Sequence, residues 1–159
     1  MTIERNILRI LDDVKDPEIP VLSIAEMGIL RGVDVEGDQI LVRITPTYSG
    51  CPAMHAIRDE IRETLNKHGY SNVEIREDFS EAWTTDWFTD EAREKLNTYG
   101  IAPPQRLEKS IKSLEERTIP CPFCGSENTH LTSEFGSTSC KALFYCKDCE
   151  QPFEHFKCH

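Results

Sequence analysis

Two Cys-x-x-Cys pairs, CPFC at 121–124 and CKDC at 146–149, set four thiols in two knuckles separated by residues 125–145. Two such knuckles bring four thiolates to tetrahedral spacing, and Zn2+ held by Cys121, Cys124, Cys146 and Cys149 is the usual outcome. Because protein fills all four positions, the spacing predicts a structural metal rather than a catalytic one. Gly125 suits the tight turn after the first knuckle, while Glu150 stands at the matching place in the second. Cys140 and Cys158 are left over. They either pack as thiols in the ribbon or join His155 or His159 in a second, labile metal site, an iron-sulfur one included, since thiolates serve both kinds.

The seventh cysteine stands alone. Within TPTYSGCPAMHAI (45–57), Cys51 follows a turn and precedes a helix that Pro52 can open, proline being tolerated in a first helical turn. A thiol at that cap lies near unsatisfied backbone N–H groups and the positive end of the helix dipole, which favours its thiolate. Thr45, Thr47 and Ser49 add hydroxyls on the approach, and Gly50 lets the backbone turn tightly or a partner come close. Local spacing alone leaves Cys51 as either a reactive thiolate or an inert buried cap. A Cys-His nucleophile with His55 at i+4 is the weaker alternative, because no carboxylate is placed to orient the imidazole.

Charge removes several function classes. The formal net charge is −10, against the basic surface that nucleic acid or an anionic membrane would require. Residues 1–117 hold 15 Lys+Arg against 23 Asp+Glu, and residues 118–159 hold 3 against 5, so the cysteine-rich module is acidic too. An oxygenase carrying its own di-iron site is also excluded, since that site needs paired Glu-x-x-His motifs and the one match here is ENTH at 127–130. No apolar run approaches the roughly 20 residues of a membrane span, and MTIERNILRILDDV is no signal peptide. The expectation is a soluble, cytoplasmic protein, in which clustered cysteines bind metal rather than form disulfides.

These residues need elements to carry them. Ile3, Ile7, Ile10, Leu11 and Val14 recur at helical spacing, and Pro17 and Pro20 end that helix. ILRGVDVEGDQILVRIT reads as a hairpin turning at EGD, and Ile57, Ile61 and Leu65 mark the buried stripe of the helix after Cys51. NVEIREDF predicts a third strand, reached by a crossover helix. A last helix runs from a Thr89 cap to a Gly100 stop. The expected class is α+β, a small three-stranded sheet with helices plus a C-terminal zinc ribbon. Its expected boundaries are a first domain over 1–104, a linker over 105–117 with Leu107, Ile111 and Leu114 spaced for a short helix, and the ribbon over 118–159.

Three blocks carry a resemblance. DDVKDPEIPVLSIAEMGIL, ITPTYSGCPAMHAI and AWTTDWFTDEAREKLNTYGIAPP are similar to the signature blocks of the SufT-like domain found in iron-sulfur assembly factors. The tail, from CPFCGSENTH to EHFKC, resembles the ribbon of one branch of that family, the accessory subunits of bacterial phenylacetyl-CoA epoxidases. The resemblance implies an acidic loop of Asp16, Pro17 and Glu18, with Thr45 and Thr47 before a functional Cys51 and Pro52, and it matches Trp83 and the DEAR segment to the third block. PEIPVLSIAEMG departs from the glycine-containing block common in relatives. By this resemblance Cys51 would be a reactive or cluster-ligating thiolate, with Asp16, Glu18, Thr45 and Thr47 as further binding residues for a transient iron or 2Fe-2S cluster. The implied role is a non-enzymatic accessory factor in phenylacetate catabolism. Its implied partners are the 2Fe-2S reductase and di-iron oxygenase components, general iron-sulfur assembly proteins and a second copy of the chain.

Overall fold

The computed structural model describes residues 2–47, 53–105 and 113–157. The chain forms two compact units, Met1–Trp83 and Thr84–His159.

The first unit opens with α1 (Ile3–Leu11), capped by Thr2, whose side chain accepts the Arg5 N–H. Ile7 and Leu11 are fully buried, and Val14 and Leu22 extend the same core. Beyond the helix the chain closes on itself. Asp16 Oδ1 accepts the N–H groups of Glu18 at 2.8 Å and Ile19 at 3.0 Å, while the Asp16 N–H reaches Leu22 O at 2.9 Å. The expected acidic loop is therefore an Asx-type turn, built around two prolines that cannot donate.

Strands β1 (Leu30–Glu36) and β2 (Gln39–Ile44) form the hairpin, with Gly37 at φ +62° in the turn. Helix α2 (Ala53–Lys67) buries Ile57, Ile61 and Leu65 and carries the chain across to β3 (Val73–Glu77), which pairs in parallel with β2. The sheet order is β1-β2-β3. Ile40, Val42 and Ile44 point into the core, and Trp83 closes the unit with its indole N–H on Met27 O at 2.8 Å.

The second unit contains α3 (Asp90–Tyr99), β4 (Ile101–Ala102), β5 (Thr129–Ser133), β6 (Lys141–Cys146) and β7 (Gln151–Phe156). Its sheet runs β4-β7-β6-β5, antiparallel except for β4 beside β7. Thr89 caps α3 on the Ala92 N–H, and Gly100 ends it at φ +95°. No other residue suits Gly100, since a Cβ there would lie 2.9 Å from the Phe123 ring.

The compact units divide at Trp83–Thr84, earlier in the chain than the expected boundary at 104. Residues 84–104 fold with the ribbon because Ile101 and Ala102 pair with Glu154 and His155. The pairing is sealed by His155 Nδ1–H donating to Ala102 O at 3.0 Å. Two further ties come from Arg93, whose guanidinium donates to Thr85 O at 3.0 Å and to Pro104 O. Of the expected linker, 106–112 lies outside the described residues, and Leu114–Glu116 is a single 3-10 turn.

Burial pushes the imidazole of His155 down to a pKa of about 4, with Arg117 and Lys157 adding repulsion. A neutral folded His that protonates near 6.5 when unfolded favours the fold fully above that pH, and the contribution disappears as pH falls towards 4. Denaturant unfolding from pH 7 to 4.5 should lose about 2 kcal/mol through this group, on top of the loss that comes as the cysteine ligands protonate. His155→Asn, which keeps an amide donor near Ala102 but does not titrate, should show a visibly flatter pH slope than wild type.

Candidate metal centre

The four knuckle cysteines converge. Cys121, Cys124, Cys146 and Cys149 place their sulfurs within 4.8 Å of one another. Cys121 and Cys149 are 3.7 Å apart, and Cys124 and Cys146 are 3.6 Å apart. A tetrahedron with Zn–S bonds of about 2.3 Å requires sulfurs roughly 3.8 Å apart, so the donor set fits Zn2+ in size as well as chemistry.

Local backbone explains the convergence. Gly125, at φ +76°, lets the first knuckle fold back with its N–H on Cys121 O at 2.8 Å, and the Phe123 N–H reaches Cys121 Sγ at 3.4 Å. In the second knuckle Glu150 takes the same left-handed conformation, φ +57°, alone among the described non-glycine residues. A side chain there costs about 1 kcal/mol or more. The Cys149 backbone N–H, helped by that of Asp148, lowers the Cys146 thiol to a pKa of about 7. Burial, followed by the neighbouring sulfurs of Cys146, Cys121 and Cys124, pushes Cys149 up to about 12. A divalent cation at the centre is what allows all four to ionise together.

Sequence reasoning overlooked a polar group beside this set. Ser126 Oγ–H donates to Asp148 Oδ2, and Asn128 Nδ2–H donates to Asp148 Oδ1 at 3.0 Å. These donors hold the Asp148 carboxyl below the usual carboxylate range. The signal available was the short polar residues inside the knuckle loops, a composition that favours side-chain bonds to nearby polar groups.

The other candidates separate. Cys140 is buried, with Thr138 Oγ1 2.9 Å from its sulfur. His155 spends Nδ1 on Ala102 O, and among the described residues the four knuckle cysteines form the one cluster of three or more metal-binding side chains. Cys158 and His159 lie outside the described residues, as do Cys51, Pro52, Ser49 and Gly50. Asp16 is buried, Glu18 half-buried, Thr45 buried with its N–H on Ile29 O at 2.9 Å, and Thr47 half-buried.

Two family models match the chain, one at each end. Residues 106–157 match the PaaD zinc beta ribbon domain and residues 4–75 match an iron-sulfur cluster assembly protein. A protein of Escherichia coli (strain K12), provisionally named as one of the subunits of 1,2-phenylacetyl-CoA epoxidase, is 45% identical over 149 residues, 94% of this chain and 89% of its own length. The chain belongs to the PaaD family. The chain also resembles an Fe-S protein maturation auxiliary factor of Porphyromonas gingivalis (strain ATCC BAA-308 / W83), 35% identical over 58% of this chain and 90% of that protein. Its fold matches a domain of unknown function from Bacillus anthracis, with a TM-score of 0.55 and 21% identity over 58% of this chain and 90% of that one. PaaD membership and the sulfur geometry agree on a zinc-binding ribbon, as the Cys-x-x-Cys spacing predicts. No helix among the described residues is long and apolar enough to cross a membrane.

The core behind the cysteines is small: Ala102, Ile119, Ala142, Phe144 and Phe153 besides Cys121 and Cys146. Metal binding should therefore supply much of the folding free energy. Elemental analysis of the purified chain should give about one zinc per chain. Cys146→Ser should reduce that at least tenfold and lower the melting temperature by roughly 5 °C or more.

Proposed function

We propose that this chain is an accessory factor of the phenylacetyl-CoA epoxidase, acting in the maturation of its iron-containing components through Cys51. The observation that carries the proposal is the union, in one chain, of an iron-sulfur assembly domain and the PaaD ribbon. The 45% identity to the Escherichia coli epoxidase protein spans both parts.

In this reading Cys51, as thiolate, takes up iron or a 2Fe-2S cluster transiently and passes it to the reductase or oxygenase. One thiolate does not hold a cluster, so the remaining ligands come from Asp16, Glu18, a client's cysteines or a second copy of the chain. Incomplete coordination is what makes the cargo transferable. Asp16 contributes first as the clamp of its own loop, holding the Glu18 and Ile19 amides, and so fixes where Glu18 begins. Thr45 follows directly on β2, and in this reading it and Thr47, two residues on, supply hydroxyls ahead of the cysteine. The ribbon serves as a docking surface, its acidic balance suited to a basic patch on the client. Partners in this reading are the epoxidase reductase and oxygenase and general iron-sulfur assembly proteins, in the cytoplasm.

A second reading, a non-catalytic adaptor that scaffolds the oxygenase, is favoured by the four-cysteine set, which leaves the metal no open position. The two part at Cys51. The chain should be purified without oxygen, with and without the reductase, and assayed for zinc, iron and acid-labile sulfide. The maturation reading expects about one zinc in both wild type and Cys51→Ser, with iron and sulfide in wild type alone. Zinc in both and iron in neither would leave the adaptor.

A further inference from the structure

The hydrogen bonds around Asp148 form a closed circuit. Cys121 N–H donates to Ser126 O at 2.9 Å, which ties the first knuckle to the segment that follows it. Ser126 Oγ then bonds Asp148, in the middle of the second knuckle, and accepts the Asn128 N–H at 3.0 Å. Asn128 returns to the second knuckle twice, through Nδ2 to Asp148 Oδ1 at 3.0 Å and through its carbonyl to the Lys147 N–H at 2.9 Å. None of these bonds uses a sulfur.

We propose that Asp148, Ser126 and Asn128 are positioning residues that clasp the two knuckles together independently of the metal, and so set how slowly the ribbon releases its zinc. The proposal rests on the four-cysteine set being a zinc centre. Release of zinc from a four-thiolate site requires sulfurs to part from the metal, and a link that holds the two knuckles together opposes that. Thr129 pairs with Cys146 in the β5–β6 ladder, but no backbone pairing of that sheet includes Cys121 or Cys124. The Asp148 circuit spans that gap.

Charge supports a positional role rather than an electrostatic one. Four thiolates around Zn2+ carry a net charge of −2, so a nearby carboxylate is repelled by the centre rather than attracted to it. What holds the Asp148 carboxylate there is the pair of donors from Ser126 and Asn128, and hydrogen bonds to a charged group are about twice as strong as neutral ones. Partners that hydrogen-bond the ligands themselves typically change metal affinity by about 10–100-fold when removed, and a clasp on the loops that carry the ligands is expected at the lower end of that range.

The test uses the full-length reduced chain loaded with one zinc and challenged with excess chromophoric chelator. Asp148→Ala should release zinc roughly tenfold faster or more. Ser126→Ala should move the rate in the same direction by less, and the double variant should be no faster than Asp148→Ala alone, because both break one circuit. Co2+ substitution should give the same tetrahedral thiolate spectrum in all, showing that the ligands are intact. Release at the wild-type rate in both single variants, or effects that multiply in the double variant, would overturn the clasp while zinc binding stands. Should Asp148→Ala not fold, Asn128→Ala and Ser126→Ala decide the matter by the same rates. Failure of the wild type to bind zinc or Co2+ at all would overturn the metal centre itself and the clasp with it.

Discussion

Four sulfurs drawn within 4.8 Å of one another are the constraint on which the second unit depends. As thiolates they repel one another. Only a divalent cation makes the arrangement favourable, and it then substitutes for the core that so short a segment does not build. The rest of the unit accommodates that requirement. Two left-handed residues, Gly125 and Glu150, turn the knuckles, β5 and β6 lead the chain from the first to the second, and Phe144 stacks on Phe153 with a centroid distance of 5.8 Å behind the cysteines.

The α+β class and the ribbon were legible because their signals are local. A Cys-x-x-Cys pair, a Thr89 cap with Asp90 and Glu91 behind it, and a Gly100 stop each act within one turn of chain, and α3 begins and ends where those residues predict. The hairpin was legible for the same reason, since the period-two burial of Ile40, Val42 and Ile44 is written in the residues themselves. That the four knuckle cysteines converge was legible by spacing. The Asp148 circuit was not, because Ser126, Asn128 and Asp148 are common surface types whose meeting depends on how the knuckles face each other.

The division at Trp83–Thr84 was not legible, for a different reason. Pro103 and Pro104 look like the end of a domain, and Ile101–Ala102 is too short to announce itself as a strand. Its partner, β7, lies about fifty residues further along the chain, a separation that periodicity does not reach. What recruits the segment is non-local: one imidazole donating to Ala102 O, the Arg93 guanidinium on two carbonyls, and the Phe88 ring 5.2 Å from Phe156. Each contact satisfies a buried polar group or covers an apolar one, and together they outweigh a break that the prolines mark correctly as a turn but not as a border.

A retained metal and a transferable one require opposite chemistry. Retention favours a full set of protein ligands, closed to incoming groups and braced from outside, which is what the knuckles and the Asp148 circuit supply. Transfer favours an incomplete set, so that a recipient's ligands can enter before the donor's leave. A single site does not satisfy both demands. If the chain carries iron to a client, a thiol outside the ribbon is the chemically consistent place, and Cys51 is the one cysteine the sequence supplies before residue 121. The uneven distribution of cysteines suits that division: four of the six from residue 121 onward converge on one centre, and one precedes all of them in the sequence.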